Sequence, residues 1–397
     1  MDLLESLGLP APALNATGTS SRAGAARLSP RVRAAMDAAA AASFDMVALH
    51  GAASRRIASI LGVPAGMVTT GAAAALAIGA AAAIARDDVR RMNRLPDTDG
   101  TRHEFLIARS HRNAYDRAVC LAGARLVEVG IPDRRTSAGV RDAEPGDFAD
   151  AIGPRTAGIL YLAQPDSEPS IEALVPLVRA HDLVLLVDAA GQLPPADLPA
   201  RLIAAGADLV AVSGGKAIGG PPGTGLLLGR ADLVASALLQ SLDLDYFEGT
   251  FVSDPAVAPA LRDPARLPIH GIGRAMKVGK ESIAGLLAAL EEFTAADPRM
   301  EAERRRGILE EVGTALGRPN GWTVTLAEGD TPRPELTVGP ADADAVALAA
   351  SLARMQPPVL VGHRFLREGR LVLDATNLRT EDAGPLAQAL RAAASPD

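Results

Sequence analysis

The 397-residue sequence predicts an α/β protein with a mainly parallel, seven-stranded-type sheet and a smaller C-terminal α/β domain. Three observations carry this. From about Leu61 onward, short β-rich runs alternate with helical stretches, the pattern of βαβ units. The runs are apolar throughout, as strands are when helices cover both faces of a sheet. After residue 296 the character changes to short strands around one helical stretch, the pattern of a second, smaller domain.

In chain order, GMV at 66–68 reads as a strand that feeds a turn, TTG, and an alanine-rich buried helix over 71–85. FLIARS (105–110), RLVEVG (125–130), AGILYLA (157–163), LVLLVD (183–188), DLVAVSG (208–214) and TGLLLGR (224–230) read as further strands. Between them SIEALVPLVRAHD (170–182) and LPARLIAAG (198–206) have helical spacing. Residues 270–296 read as one long connecting helix. GWTVTLAE, RPELTVG and RLVLDAT, with DADAVALAASLARM among them, suggest a small antiparallel sheet. The expected division is an N-terminal segment, 1–45, packing with the small domain; a large domain, 46–279; and a small domain, 280–397. The polar stretch 91–104, RMNRLPDTDGTRHE, reads as a surface loop, with an active-site flap as the sharper alternative.

With 48% hydrophobic and 22% charged residues the chain can bury a sizeable core, and its net charge of −7 argues against nucleic acid as a partner. A small molecule is the expected partner. Cys120 is the only cysteine, so neither a disulfide within the chain nor a cysteine zinc site is available. Its setting, DRAVCLAGARL, reads as a buried helix with the thiol in the core. Six scattered histidines suggest no metal site. The apolar run 71–85 is shorter than the roughly 20 residues that span a bilayer, and MDLLESLGLP lacks the basic and apolar regions of a signal peptide. A cytoplasmic protein without a membrane partner is the expectation.

The stretch VSGGKAIGGPPGTG, 212–225, places Lys216 among glycines at a strand end. Glycine lets the backbone turn sharply and removes obstructing side chains, and a desolvated lysine becomes a nucleophile toward carbonyls, a solvated loop lysine being the plainer reading. Asp188 ends LVLLVD, where open α/β sheets bind ligands; an aspartate there suits a protonated pyridine nitrogen, and a helix-end partner is the plainer reading. Thr69 to Leu76 place a hydroxyl and free N–H groups at a helix start, an anion site or an ordinary cap. His111 follows a strand end in RSHRNAYD and suits the flat face of an aromatic cofactor or a structural role.

Phosphate turn, histidine, strand-end aspartate and, about 28 residues later, lysine follow the order of fold-type I pyridoxal-phosphate enzymes. NATGTSSRAG, VTTGAAAALAIGAA, LVEVG, VDAAGQLPP, the lysine stretch, GIGRAMKVGKESI and PPVLVGHRFLREGRLVLDATNL together resemble the branch that includes selenocysteine synthase and D-glucosaminate-6-phosphate ammonia-lyase. RLPDTDG and RSHRNAYD look more like the ammonia-lyases. The resemblance implies that Lys216 is the lysine joined to pyridoxal 5'-phosphate and that Asp188 partners the ring nitrogen. Thr70, Gly71, Ala72 and Ser213 then meet the phosphate, His111 packs on the ring, and Gln192 is a candidate for the phenolic oxygen. Arg274, Lys277 and Lys280, at three-residue spacing, would share a broad helix face toward a substrate anion, the alternative being a solvated face. Arg364 is the candidate clamp for the substrate carboxylate, with Arg367 and Arg370 as competitors, and Arg22 is a further anion contact.

The implied activity is α,β-elimination from a 2-amino-3-hydroxy sugar acid, with D-glucosaminate 6-phosphate as a candidate, giving a 2-keto-3-deoxy acid and ammonia. The same cofactor chemistry leaves a racemase or an aminotransferase open, and the fold does not choose. A non-catalytic binding or regulatory protein is the reading from a different class. The resemblance also implies a homodimer or higher homo-oligomer.

Overall fold

The structure, a computed structural model, describes residues 3–131, 143–247, 250–252, 254–257, 267–317, 322–327, 334–339 and 344–394. Its strands are β1 (Leu14–Ala16), β2 (Ala65–Thr69), β3 (Glu104–Ala108), β4 (Arg125–Val129), β5 (Thr156–Leu162), β6 (Val184–Asp188), β7 (Leu209–Ser213), β8 (Gly225–Gly229), β9 (Thr323–Leu326), β10 (Glu335–Gly339), β11 (Val359–Val361) and β12 (Leu371–Asp374). The chain divides into a unit of residues 28–294 and a unit formed by 1–27 with 295–397. The expected boundaries at 45/46 and 279/280 therefore move. The helix Lys280–Ala295 buries Ile283, Leu286, Ala289 and Leu290 in the core of the larger unit, and Val32 of the helix Pro30–Ala40 joins the same core.

The larger unit is built on a seven-stranded sheet in the order β2-β8-β7-β6-β5-β3-β4. All its pairs are parallel except those of β8 with β7 and β2. The strands expected from the sequence are present, with ends within two residues of the apolar runs. Side chains alternate between two cores: Phe105, Ile107, Leu186 and Leu209 on one face, Leu106, Leu185, Val187 and Val210 on the other. The alanine-rich helix Ala72–Ala85 lies on the first face and is buried along nearly its whole length. A methyl at Gly79 would come within 3.0 Å of Leu186 Cδ1, so small side chains let this helix approach the sheet.

That helix starts at the C-terminal end of β2 and runs back toward the strand starts, so the chain after it emerges at the N-terminal end of β3. Loop 95–103 packs there against the turn before β4: Thr98 Oγ1 donates to the Gly123 carbonyl at 3.4 Å, and a methyl at Gly123 would strike the Pro96 carbonyl at 2.1 Å. The expected loop 91–104 is thus shorter, residues 91–94 belonging to the helix Val89–Arg94, and what remains lies at the opposite end of β3 from His111. Cys120 also departs from expectation. Asp116–Ala122 is a 3-10 helix, and its three-residue repeat turns Val119 and Ala122 inward and leaves Cys120 exposed.

The smaller unit holds a three-stranded antiparallel sheet, β12-β10-β9, and a parallel pair, β1 with β11. The helices Pro298–Leu316, Ala345–Arg354 and Ala383–Ala394 contribute apolar side chains to its core. Buried Asn377 ties the N-terminal segment to it, donating to the carbonyls of Gly18 (2.6 Å) and Ala25 (3.0 Å) and accepting from the Arg27 amide (2.8 Å).

Candidate active site

Strand register assembles the site of the larger unit. Gly225, the first residue of β8, pairs with Ser213 on one side and with Thr69 on the other, so the start of the helix Ala72–Ala85 lies beside the end of β7. A methyl at Gly225 would stand 2.5 Å from the Gly71 carbonyl carbon and 2.6 Å from the Ala72 nitrogen. Only a residue without Cβ permits this approach. Gly71, at φ +100°, caps the helix without a side-chain bond, so the first helical N–H groups have no side-chain acceptor there. Thr69 Oγ1 donates to the Gly71 carbonyl (2.9 Å), and Thr70 Oγ1 donates to the Met276 carbonyl (3.2 Å).

Asp188 ends β6, 6% exposed, and its Oδ1 accepts the Ala190 amide at 3.0 Å. Burial raises its pKa, while that amide and the charge of Lys216 hold it down. Lys216 lies in the turn after β7, closed by the Gly219 amide on its carbonyl (3.0 Å). A methyl at Gly191 would sit 3.7 Å from Lys216 Nζ, so the amine reaches over the turn that follows Asp188. The surrounding small residues have a packing reason as well. Methyls at Gly214 and Gly220 would come within 2.7 and 2.6 Å of Leu286 Cδ1. Gln192 is half-buried in the same turn, its amide donating to the Ala189 carbonyl (3.1 Å).

His111 ends a 3-10 turn that follows β3 and is 3% exposed. Its Nδ1 accepts the Leu162 amide at 3.4 Å, and Leu162 is the β5 residue paired with Asp188. The sheet thus carries His111, Leu162 and Asp188 across three neighbouring strands.

The cationic trio is not one helix face. Helix begins only at Lys280; Ile272–Met276 is a 3-10 turn, because Gly271 and Gly273 press against Gln240, where a methyl would meet Gln240 Cα at 2.4 Å or Ile78 Cδ1 at 2.3 Å. Lys280 donates to the carbonyls of Ala39 (2.7 Å) and Ala40 (3.0 Å), closing the end of the helix Pro30–Ala40. Arg274 pairs with Asp243 at 2.6 Å. Lys277 is exposed and, with Arg274, Asp243, Thr69 and His50, lines a cavity of about 250 Å³. In the smaller unit Arg22 donates to the Val361 carbonyl, Arg364 pairs with Glu335, and both Arg364 (4.5 Å) and Arg370 (4.6 Å) lie over the Phe365 ring. Arg367 falls in the 3-10 turn Leu366–Glu368.

Comparison with known proteins bears on this arrangement. The Aminotransferase class-V family profile matches residues 167–243, the span that holds Asp188 and Lys216. The chain is 31% identical over 379 residues to the 5'-C-glycyluridine monooxygenase-decarboxylase of a Streptomyces species, covering 91% of this chain and 85% of that protein. The chain belongs to the fold-type I pyridoxal-phosphate enzymes. It is also 29% identical to the D-glucosaminate-6-phosphate ammonia lyase of Salmonella typhimurium, over 80% of this chain and 76% of that one. A solved structure of D-glucosaminate-6-phosphate ammonia-lyase superposes with a TM-score of 0.80 at 26% identity, across 99% and 98% of the two chains. The cofactor of this family is pyridoxal 5'-phosphate, and the larger unit suits it: a buried carboxylate, an amine beside it, and a helix start without a side-chain cap that Gly225 lets approach the end of β7.

His50, Asp243 and Tyr161 belong to no functional motif of the sequence. His50 lies at helical spacing with Val47, Ala53, Ser54 and Ile57, all buried, which was a readable signal for burial. Asp243 and Tyr161 had no local signal.

Proposed function

We propose that this enzyme is a lyase that eliminates the β-hydroxyl of a 2-amino-3-hydroxy sugar acid, with D-glucosaminate 6-phosphate as the candidate substrate. The observation that carries the reading is the chain-long match to D-glucosaminate-6-phosphate ammonia-lyase, at a TM-score of 0.80. When bound, pyridoxal 5'-phosphate supplies an electron sink for the pair released at the substrate Cα. Lys216 would hold the cofactor covalently, and its Nζ as a free amine would take the substrate Cα proton. Asp188 keeps a proton on the ring nitrogen. The N–H groups of Gly71 and Ala72, with the hydroxyl of Ser213, would hold the phosphate; the Thr70 hydroxyl, which donates to the Met276 carbonyl, would join them only on releasing it. His111 would cover the ring, and Gln192 is the candidate for its phenolic oxygen. The products are a 2-keto-3-deoxy acid and ammonia.

The higher identity to the Streptomyces protein favours a second reading, an oxygen-using decarboxylation of an amino acid carried on a larger group. Self-association is part of the proposal: Phe44, Phe247, Val252 and Ile269 are exposed apolar side chains of the larger unit.

The test is an absorbance spectrum of the loaded protein, followed by assays on 2-amino sugar acids with and without a 6-phosphate. A visible band abolished by borohydride, with ammonia and keto acid released in equal amounts, supports the lyase. Dioxygen uptake with carbon dioxide release from a glycyl-nucleoside, and no keto acid from the sugar acids, supports the second reading. No band after cofactor addition removes both.

A further inference from the structure

The turn that carries His111 is held by two separate sets of contacts. The first set acts on the backbone and on the neighbours. Arg109 and Arg112 both pair with Glu128 of β4, Arg112 also pairs with the buried Asp116, and Asn113 Nδ2 donates to the His111 carbonyl at 3.2 Å. These contacts place Cα and do not by themselves set the imidazole torsion, which has broad, nearly two-fold preferences.

The second set acts on the ring. The Tyr161 ring meets the imidazole edge-on, with centroids 4.7 Å apart and planes at 83°. The Leu162 amide donates to Nδ1 at 3.4 Å. Tyr161 is itself fixed, 5% exposed, with its hydroxyl donating to the Ser167 carbonyl at 3.2 Å. Ser167 Oγ in turn donates to the Leu162 carbonyl (2.5 Å) and accepts the Gln164 amide (3.0 Å), closing the loop onto the end of β5.

We infer that Tyr161 and the Leu162 amide are a positioning pair that sets the plane of the His111 ring and keeps its neutral-form proton on Nε2. An Nδ1 that accepts an N–H carries no proton of its own, so the tautomer follows from the bond. The ring contact requires only the aromatic edge of Tyr161. Its hydroxyl anchors the loop, and burial pushes that phenol up to about 12, so it stays a neutral donor rather than a proton carrier. The inference rests on the assignment of His111 to the cofactor ring.

The experiment compares wild type, Tyr161→Phe and Tyr161→Leu, each after cofactor addition. The imidazole ¹⁵N spectrum is assigned with His111→Gln, and the visible band is titrated with pH. Wild type is expected to show a proton on Nε2 and an unprotonated Nδ1. Tyr161→Phe should retain that signature and turnover within about twofold. Tyr161→Leu should show mixed tautomers, a displaced band and turnover lowered about tenfold, the cost of a misplaced group. A proton on Nδ1 in wild type overturns the inference outright, even where a Tyr161 variant fails to fold. So does a Tyr161→Leu protein with unchanged tautomer and band. A wild-type protein without any band counts against the proposed function, while its imidazole spectrum still reports on Tyr161 and Leu162.

Discussion

The strand ends that carry Thr69, Asp188 and Ser213 and the segment that carries Arg274, Lys277 and Lys280 are held by opposite means. At the strand ends, backbone ladders assign each residue a partner: Thr69 and Ser213 flank Gly225, and Asp188 stands opposite Leu162. A shift of one residue would turn every side chain to the other face, so position is set by the whole sheet. The segment from Gly271 to Gly279 has no ladder; it rests on glycine contacts with Gln240 and on the Arg274–Asp243 pair. Groups on the sheet have their places fixed by the ladder, whereas two cations of the segment, Arg274 and Lys280, have each acquired a local task.

The sharpest attack on the first half of this contrast is Lys216→Ala. The borohydride-sensitive band should disappear and turnover should fall by about 1,000-fold or more, since the proposed function makes the residue both covalent anchor and proton acceptor. Retained turnover would move the chemistry elsewhere.

His50 bounds the cavity that the segment shares with the helix Met46–Leu61. Burial lowers its pKa from 6.5 to about 4. Between those values the unfolded chain binds a proton that the folded chain refuses, so stability falls as pH drops through this window. The loss reaches about 3 kcal/mol by pH 4, at roughly 1.4 kcal/mol per pH unit. Denaturant titrations from pH 7 to 4 should show a correspondingly shallower decline for His50→Gln; parallel curves would place an exposed imidazole here.

Gly225→Ala probes the register directly. The added methyl must push Gly71 and Ala72 aside, at a cost of about 2 kcal/mol in stability, the range of an overpacked interior. Cofactor affinity, followed by dialysis and absorbance, should weaken with it. Normal retention would show that the helix start is not part of the cradle.

Lys280→Met should cost about 0.5–1 kcal/mol, the worth of a helix-end hydrogen bond, and leave KM unchanged. A raised KM would return Lys280 to a substrate-facing role. Smallest of all, a double-mutant cycle on Arg274 and Asp243 should give a coupling of about 0.5 kcal/mol, as half-exposed pairs do.

Asp188, Lys216 and the strands that bear them were legible in the sequence because their signals are local: apolar runs, turn-forming glycines and charged residues at run ends. The reading of 270–296 as one helix fails before Lys280, where Gly271 and Gly273 carry no local sign of a break. In the folded protein they are points where the Gln240 backbone comes too close for any Cβ. The exposure of Cys120 turned on the same kind of fact, a 3-10 rather than an α-helical repeat over Asp116–Ala122.

The sequence by itself determined the α/β class and the mainly parallel sheet, since hydrophobic periodicity decides these within a few neighbours, and its motifs carried the family resemblance that implies the cofactor. Only the tertiary structure decided that Gly225 brings the helix start to Ser213, that Tyr161 and Leu162 hold the His111 ring, and that Lys280 closes a helix. Each of these depends on contacts between residues far apart in the chain. No local pattern encodes them, because their energies exist only once the sheet has brought those residues together.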